Sequence, residues 1–120
     1  MKIKTARVFA VVFALMGVAH IAATFHPMFA GKFACLPPEP RAEFTYISLV
    51  FGLFHVLCGV LLFFILPKVH ESVFTRRLYG TVMFALIIDA IVAPIFMRHA
   101  PSSTALICLL LPIAVLSYKK

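Results

Sequence analysis

Apolar residues run with little interruption through four stretches of this chain, at residues 8–25, 44–66, 78–97 and 103–118, and polar residues gather in the gaps between them. A helix rising about 1.5 Å per residue needs about 20 mostly apolar residues to cross a hydrocarbon core of about 30 Å. The first three stretches reach that length or come close to it. The fourth is short and contains Pro112, which removes a backbone donor and predicts a kink or an off-centre position. The pattern predicts an all-α membrane protein, a single domain over residues 1–120 built as a bundle of four transmembrane helices.

The gaps differ in character. Residues 26–43 hold Pro27, Pro37, Pro38 and Pro40, a density that predicts an extended, stiff outer loop. Residues 67–77 are polar and basic, and the last gap is only residues 98–101, so the helices it joins are expected to be antiparallel neighbours. The first stretch also has the outline of a secretory signal, with Lys2, Lys4 and Arg7 ahead of an apolar run. Cleavage after Ala23 would place Ile21 at the minus-three position, a poor match to the small residue expected there, so retention as a helix is the reading adopted.

Composition removes the soluble alternatives. With 63% hydrophobic and 12% charged residues and a mean hydropathy of +1.08, no water-facing surface can be assembled, and the remaining apolar surface must face lipid. The net charge of +7 acquires meaning from its placement. Lys2, Lys4, Arg7, Lys68, Arg76, Arg77, Lys119 and Lys120 fall on one side of four alternating spans, and only Lys32, Arg41 and Arg98 on the other. That bias predicts both termini in the cytoplasm, in an inner membrane. With the basic residues assigned to membrane flanks, no basic face remains for a nucleic acid. Of the three cysteines, Cys35 falls in the outer loop, where an intermolecular disulfide is open to it; Cys58 and Cys108 lie at different membrane depths, which argues against their pairing.

Within the apolar stretches, small and polar residues at three-and-four spacing mark the face turned into a bundle. The second stretch carries Thr45, Ser48, Gly52, His55 and Gly59 in that spacing; the first carries Ala10, Gly17, His20 and Thr24, and the third Thr81, Ala85, Asp89 and Ala93. An imidazole or carboxylate facing lipid is costly, so His20, His55 and Asp89 are expected to line the interior. His55 lies about 16 Å from the outer end of its stretch and Asp89 about 16 Å from the inner end of its own, which allows them to meet as a buried polar pair near the midplane. His20 sits a few ångströms further out and is expected to reach the cluster with modest tilting.

Gly17-Val18-Ala19-His20 and Gly52-Leu53-Phe54-His55 share a G-x-x-H spacing. Two imidazoles at nearly one depth, with Gly17, Gly52 and Gly59 as positions of close approach, are what axial ligation of a b-type haem requires. Phe51, Phe54, Phe63 and Phe64 supply aromatic walls suited to a quinone or sterol, and equally suited to plain packing. His26, His99 and His20 share the outer side but are too loosely placed to predict a metal site. No nucleophile elbow, P-loop, dinucleotide fingerprint or zinc-protease motif occurs, which disfavours a hydrolytic enzyme and leaves no catalytic residue to name.

Arg7-Val8 leading into Gly17-Val18-Ala19-His20, with Gly59-Val60-Leu61-Leu62 in the second stretch, resembles the DoxX-like group of small four-helix membrane proteins. The resemblance implies a four-helix bundle and admits roles that include association with quinone-linked oxidation; the long proline-rich loop departs from it. The expectation is a non-enzymatic multi-pass subunit, partnered by the bilayer and by other membrane subunits or further copies of itself. The alternatives are a redox module binding haem b or quinone, and a proton-coupled carrier or channel built by oligomerisation.

Overall fold

Where no water is present to satisfy backbone polar groups, an uninterrupted apolar run closes its hydrogen bonds within itself and becomes a helix. The computed structural model, which describes residues 2–96 and 102–118, follows that rule. Its elements are α1 (Lys2–Phe25), α2 (Pro27–Ala34), α3 (Pro38–Ile65) continued by a 3-10 turn (Leu66–Lys68), α4 (Val73–Phe96) and α5 (Ser102–Ser117). Among the described residues, three helices are long and apolar enough to cross a membrane: Lys2–Phe25, Pro38–Lys68 and Val73–Ile95. At 16 residues, α5 rises only about 24 Å, short of a hydrocarbon core of about 30 Å.

The proline-rich segment 26–43 is not the extended loop that its composition suggests. Pro27 opens α2 and Pro38 opens α3, and at a first helical position the missing N–H costs nothing because that donor would have no intrahelical acceptor. Arg41 ties the two helices together, donating from its guanidinium to the carbonyls of Ala34 at 2.7 Å and Leu36 at 2.8 Å. The third apolar stretch likewise begins earlier than its hydropathy indicates, at Val73 rather than residue 78. Ser72 caps it, its hydroxyl accepting from the Thr75 N–H at 3.1 Å, so the polar residues read as a loop form the first turns of a helix. Residues 97–101, which include the expected short loop with Arg98 and His99, lie outside the described residues.

Helix α1 packs along most of α3 and also against α5; α5 meets α4, and α4 returns to α3, closing the cyclic order α1, α3, α4, α5. The α3–α4 face is the sparsest of the four. Phe13, Leu62, Leu86 and Ile113, one from each helix, are fully buried at the centre. The outward faces are also apolar: Leu15, Leu53, Phe64, Phe84 and Ile91 are all more than half exposed. A molecule 53 Å long and about 22 Å wide that is apolar inside and out is suited to lipid rather than to water.

The end of the bundle that carries the termini is closed by polar groups. Ser117 donates to the Ala114 carbonyl at 3.1 Å, so the Tyr79 hydroxyl must donate to Ser117 Oγ, 2.6 Å away, while His70 Nε2 donates to the Ser117 carbonyl at 2.8 Å. The last turn of α5 is thereby held to α4 and to the α3–α4 connection. On α1, the Arg7 guanidinium lies over the Phe63 ring, 3.9 Å from its centroid, and its Nε is buried without a hydrogen-bond partner.

Candidate functional site

The seam between α1 and α3 is set by glycine. A Cβ on Gly17 would lie 2.6 Å from the Gly52 carbonyl oxygen and 2.7 Å from the Val56 nitrogen, and one on Gly59 would lie 2.6 Å from the Ala14 nitrogen. The two backbones are therefore in direct contact, and the close approach that glycine permits is taken by a neighbouring helix. In an antiparallel pair crossing at Gly17 and Gly52, each G-x-x-H motif runs away from the crossing in its own chain direction. The two histidines are thus sent to opposite sides of it, about six residues or 9 Å apart in height. The spacing that made them look like a matched pair is what separates them.

His20 joins the hydroxyls of α1 and α3. Its Nε2 is 3.1 Å from Ser48 Oγ, Ser48 Oγ is 2.7 Å from Thr24 Oγ1, and Thr24 Oγ1 is 3.0 Å from the His20 carbonyl oxygen. A carbonyl only accepts and a hydroxyl has one proton to give, so the direction of the whole chain is determined. Thr24 donates to the carbonyl, Ser48 donates to Thr24, and His20 Nε2 must carry a proton and donate to Ser48.

His55 sits in the sparser α3–α4 seam. Its Nδ1 is 2.8 Å from the Phe51 carbonyl oxygen, which obliges Nδ1 to be the donor. Its Nε2 is 3.0 Å from Asp89 Oδ2, with the two side chains only 4% and 11% exposed. Nδ1–H being settled, one proton lies between Nε2 and Oδ2, whether it is assigned to imidazolium and carboxylate or to imidazole and carboxylic acid. Either assignment leaves the pair with no net charge, the arrangement that costs least in a low-dielectric interior.

Aromatic rings enclose His55: Phe51 at 4.7 Å, Phe13 at 5.2 Å and Phe54 at 5.7 Å between centroids. Phe51 also contacts His20, at 5.9 Å, so this one ring touches both imidazoles. Among the described residues, the polar groups around the two imidazoles consequently form two systems rather than one cluster, with His20 serving the α1–α3 seam and Asp89 pairing with His55.

These geometries test the expected cofactors. A b-type haem does not fit: the imidazoles differ in height, both nitrogens of His55 are engaged within the protein, and the glycine positions are filled by backbone. Nor do the four phenylalanines wall a common cavity. Phe51 and Phe54 pack on His55, whereas Phe63 lies under Arg7 and edge-on to Phe64 at 5.4 Å. Phe63 and Phe64 border a shallow surface groove with Val11, Ala14, Leu15, Val18, Gly59 and Val60, whose side chains offer a quinone carbonyl no donor.

Among the described residues no group of three or more His, Cys, Asp or Glu is placed to hold a metal ion. His26 is exposed, its Nδ1 accepting from the Met28 N–H at 3.3 Å. Cys35 and Cys108 are exposed and Cys58 is buried, all as free thiols. Two polar features escaped the sequence: the Ser117, Tyr79 and His70 knot, and the Ser72 cap. The second had a visible signal, a serine three residues ahead of Thr75 at the head of an apolar run.

A scan against protein-family models finds none that matches the chain, and searches of curated proteins and of solved structures return no match either.

Proposed function

We propose that this chain is a four-span subunit of an inner membrane, with both termini cytoplasmic, whose buried polar groups hold its helices in register and whose apolar exterior meets other membrane subunits or further copies of itself. The observation that carries this reading is the complete internal commitment of His55. Nδ1 is given to the Phe51 carbonyl and Nε2 to Asp89, which leaves the imidazole no nitrogen for a ligand and makes the pair a tie across the sparsest seam of the bundle. The orientation rests on the distribution of basic residues and treats α5 as the fourth crossing.

The test uses the full chain in mild detergent. Asp89→Ala and His55→Ala should each lower resistance to unfolding while any co-purifying membrane partner stays bound. Loss of a transport or redox activity from a variant that keeps its fold would overturn the reading, as would a Soret band in protein purified with adequate haem supply. Reporter fusions at each terminus and in residues 26–43 test the orientation; an externally active C-terminal fusion would remove α5 as a crossing.

A further inference from the structure

The hydrogen-bond chain at the α1–α3 seam has one loose end. Because Ser48 spends its proton on Thr24 and Thr24 spends its own on the His20 carbonyl, the proton of a neutral His20 is confined to Nε2. Nδ1 is then a bare acceptor. Among the described residues it has no partner, and it is not sealed: the only buried side-chain nitrogen or oxygen left without a partner is Nε of Arg7. His20 is half-buried and lies five residues before Phe25, the last residue of α1, about 8 Å from that helix end.

The surroundings are apolar. Ile47, one turn before Phe51 on α3, is more than half exposed, and the Phe51 ring lies 5.9 Å from the imidazole. A single acceptor beside an aromatic ring on an apolar face, near one end of a membrane span, matches one chemistry: an apolar body carrying one hydroxyl donor.

We propose that His20 Nδ1 is a binding position for membrane amphiphiles with a single hydroxyl, the O–H donating to Nδ1 and the apolar body lying along α1 and α3 beside Phe51. The Ser48–Thr24 chain is what keeps Nδ1 an acceptor, by holding the ring proton on Nε2. The proposal rests on the reading of α1 as a span and is independent of the His55–Asp89 tie. The class includes both alkyl alcohols among the lipids and freely partitioning phenols, and the ring of Phe51 favours the phenol.

The experiment is nitrogen-15 NMR of the full chain, labelled at histidine and reconstituted in lipid nanodiscs, with His20→Gln identifying the His20 signals. Three probes are compared: 4-hexylphenol, 1-decanol, and 4-hexylanisole, whose methyl ether has the phenol's shape without its donor. The free protein should show Nδ1 unprotonated and Nε2 protonated. 4-Hexylphenol should then move the Nδ1 signal in a saturable way, 1-decanol more weakly, and 4-hexylanisole not at all; a stronger response to 1-decanol than to the phenol would assign the position to lipid alcohols and overturn the preference for a ring.

Ser48→Ala, which removes the brace without touching Nδ1, should weaken the phenol about threefold to tenfold, the equivalent of one hydrogen bond. Asp89→Ala should leave that response in place, so failure of the proposed tie and failure of this site are told apart. A proton on Nδ1 in the free protein, equal responses to phenol and anisole, or no response to either hydroxyl compound would each overturn the proposal; the last would mean that water alone serves the nitrogen.

Discussion

The two seams that meet along α3 solve the problem of polar residues in lipid in opposite ways. Against α1, glycine brings the backbones into contact, and the polar groups lodged there are short and neutral: two hydroxyls and an imidazole edge, linked in a chain that ends on a carbonyl. Against α4, the helices make few contacts, and the gap is bridged by two longer side chains sharing one proton. Helix separation thus selects the chemistry. Where backbones touch, hydroxyls and the edge of a half-buried imidazole link up beside the crossing, and where they stand apart, one buried pair has to reach across.

The comparison can be broken most severely at the tight seam. Gly59→Val places its side chain against the backbone of Ala14 and Ala10, where nothing flexible can give way. A loss of about 3 kcal/mol, the upper range for overpacking, is expected in denaturant titration of the detergent-solubilised protein. The loose seam should follow. Asp89→Ala leaves His55 Nε2 buried without a partner, at an expected cost of about 2 kcal/mol. Asp89→Asn should recover much of that loss, because its amide can donate to Nε2 of the neutral ring. If Asn proves as damaging as Ala, the pair needs its charge and the shared proton belongs to imidazolium and carboxylate rather than to imidazole and carboxylic acid.

Smaller effects sharpen the contrast. Ser48→Ala removes one link of the hydroxyl chain and should cost about 0.6 kcal/mol, the average for an interhelical hydrogen bond in a membrane protein. Combined with Thr24→Val it should cost less than the sum of the two, since either change alone interrupts the same chain. Gly80→Ala is the control: a Cβ there meets nothing within 4 Å, and a shift within about 0.5 kcal/mol is expected. A large loss at Gly80 would mean that the face it occupies is covered by something other than lipid.

Much of this was legible in the order of residues, and the parts that were not have definite physical causes. Hydropathy marks the interior of a span well and its ends badly, because helix starts are made of the residues that otherwise signal a loop. Pro27 and Pro38 open helices, Ser72 caps one, and Arg76 and Arg77 ride in its first two turns. Depth along a helix follows from counting at about 1.5 Å per residue, which is why His55 and Asp89 could be matched across different helices. What counting cannot supply is the antiparallel register of α1 on α3. That register carries His20 toward Ser48 instead of the pair, and it replaces the planar ligand expected between the glycines with another stretch of backbone.

The unequal helix lengths have a consequence for the surrounding lipid. Helix Pro38–Lys68 has 31 residues, of which the apolar stretch 44–66 reaches about 35 Å, whereas α5 at 16 residues reaches about 24 Å. In the cyclic order of the bundle these two stand on opposite corners. If α5 is the fourth crossing, the bilayer has to thicken or the bundle tilt at the corner of α3, and the bilayer has to thin at the corner of α5. Each ångström of such mismatch costs a fraction of a kcal/mol. Elastic strain in the membrane is then distributed unevenly around one small protein. The thinned side, by α5, is where exchanging lipid for the wall of a neighbouring protein would relieve the most of it.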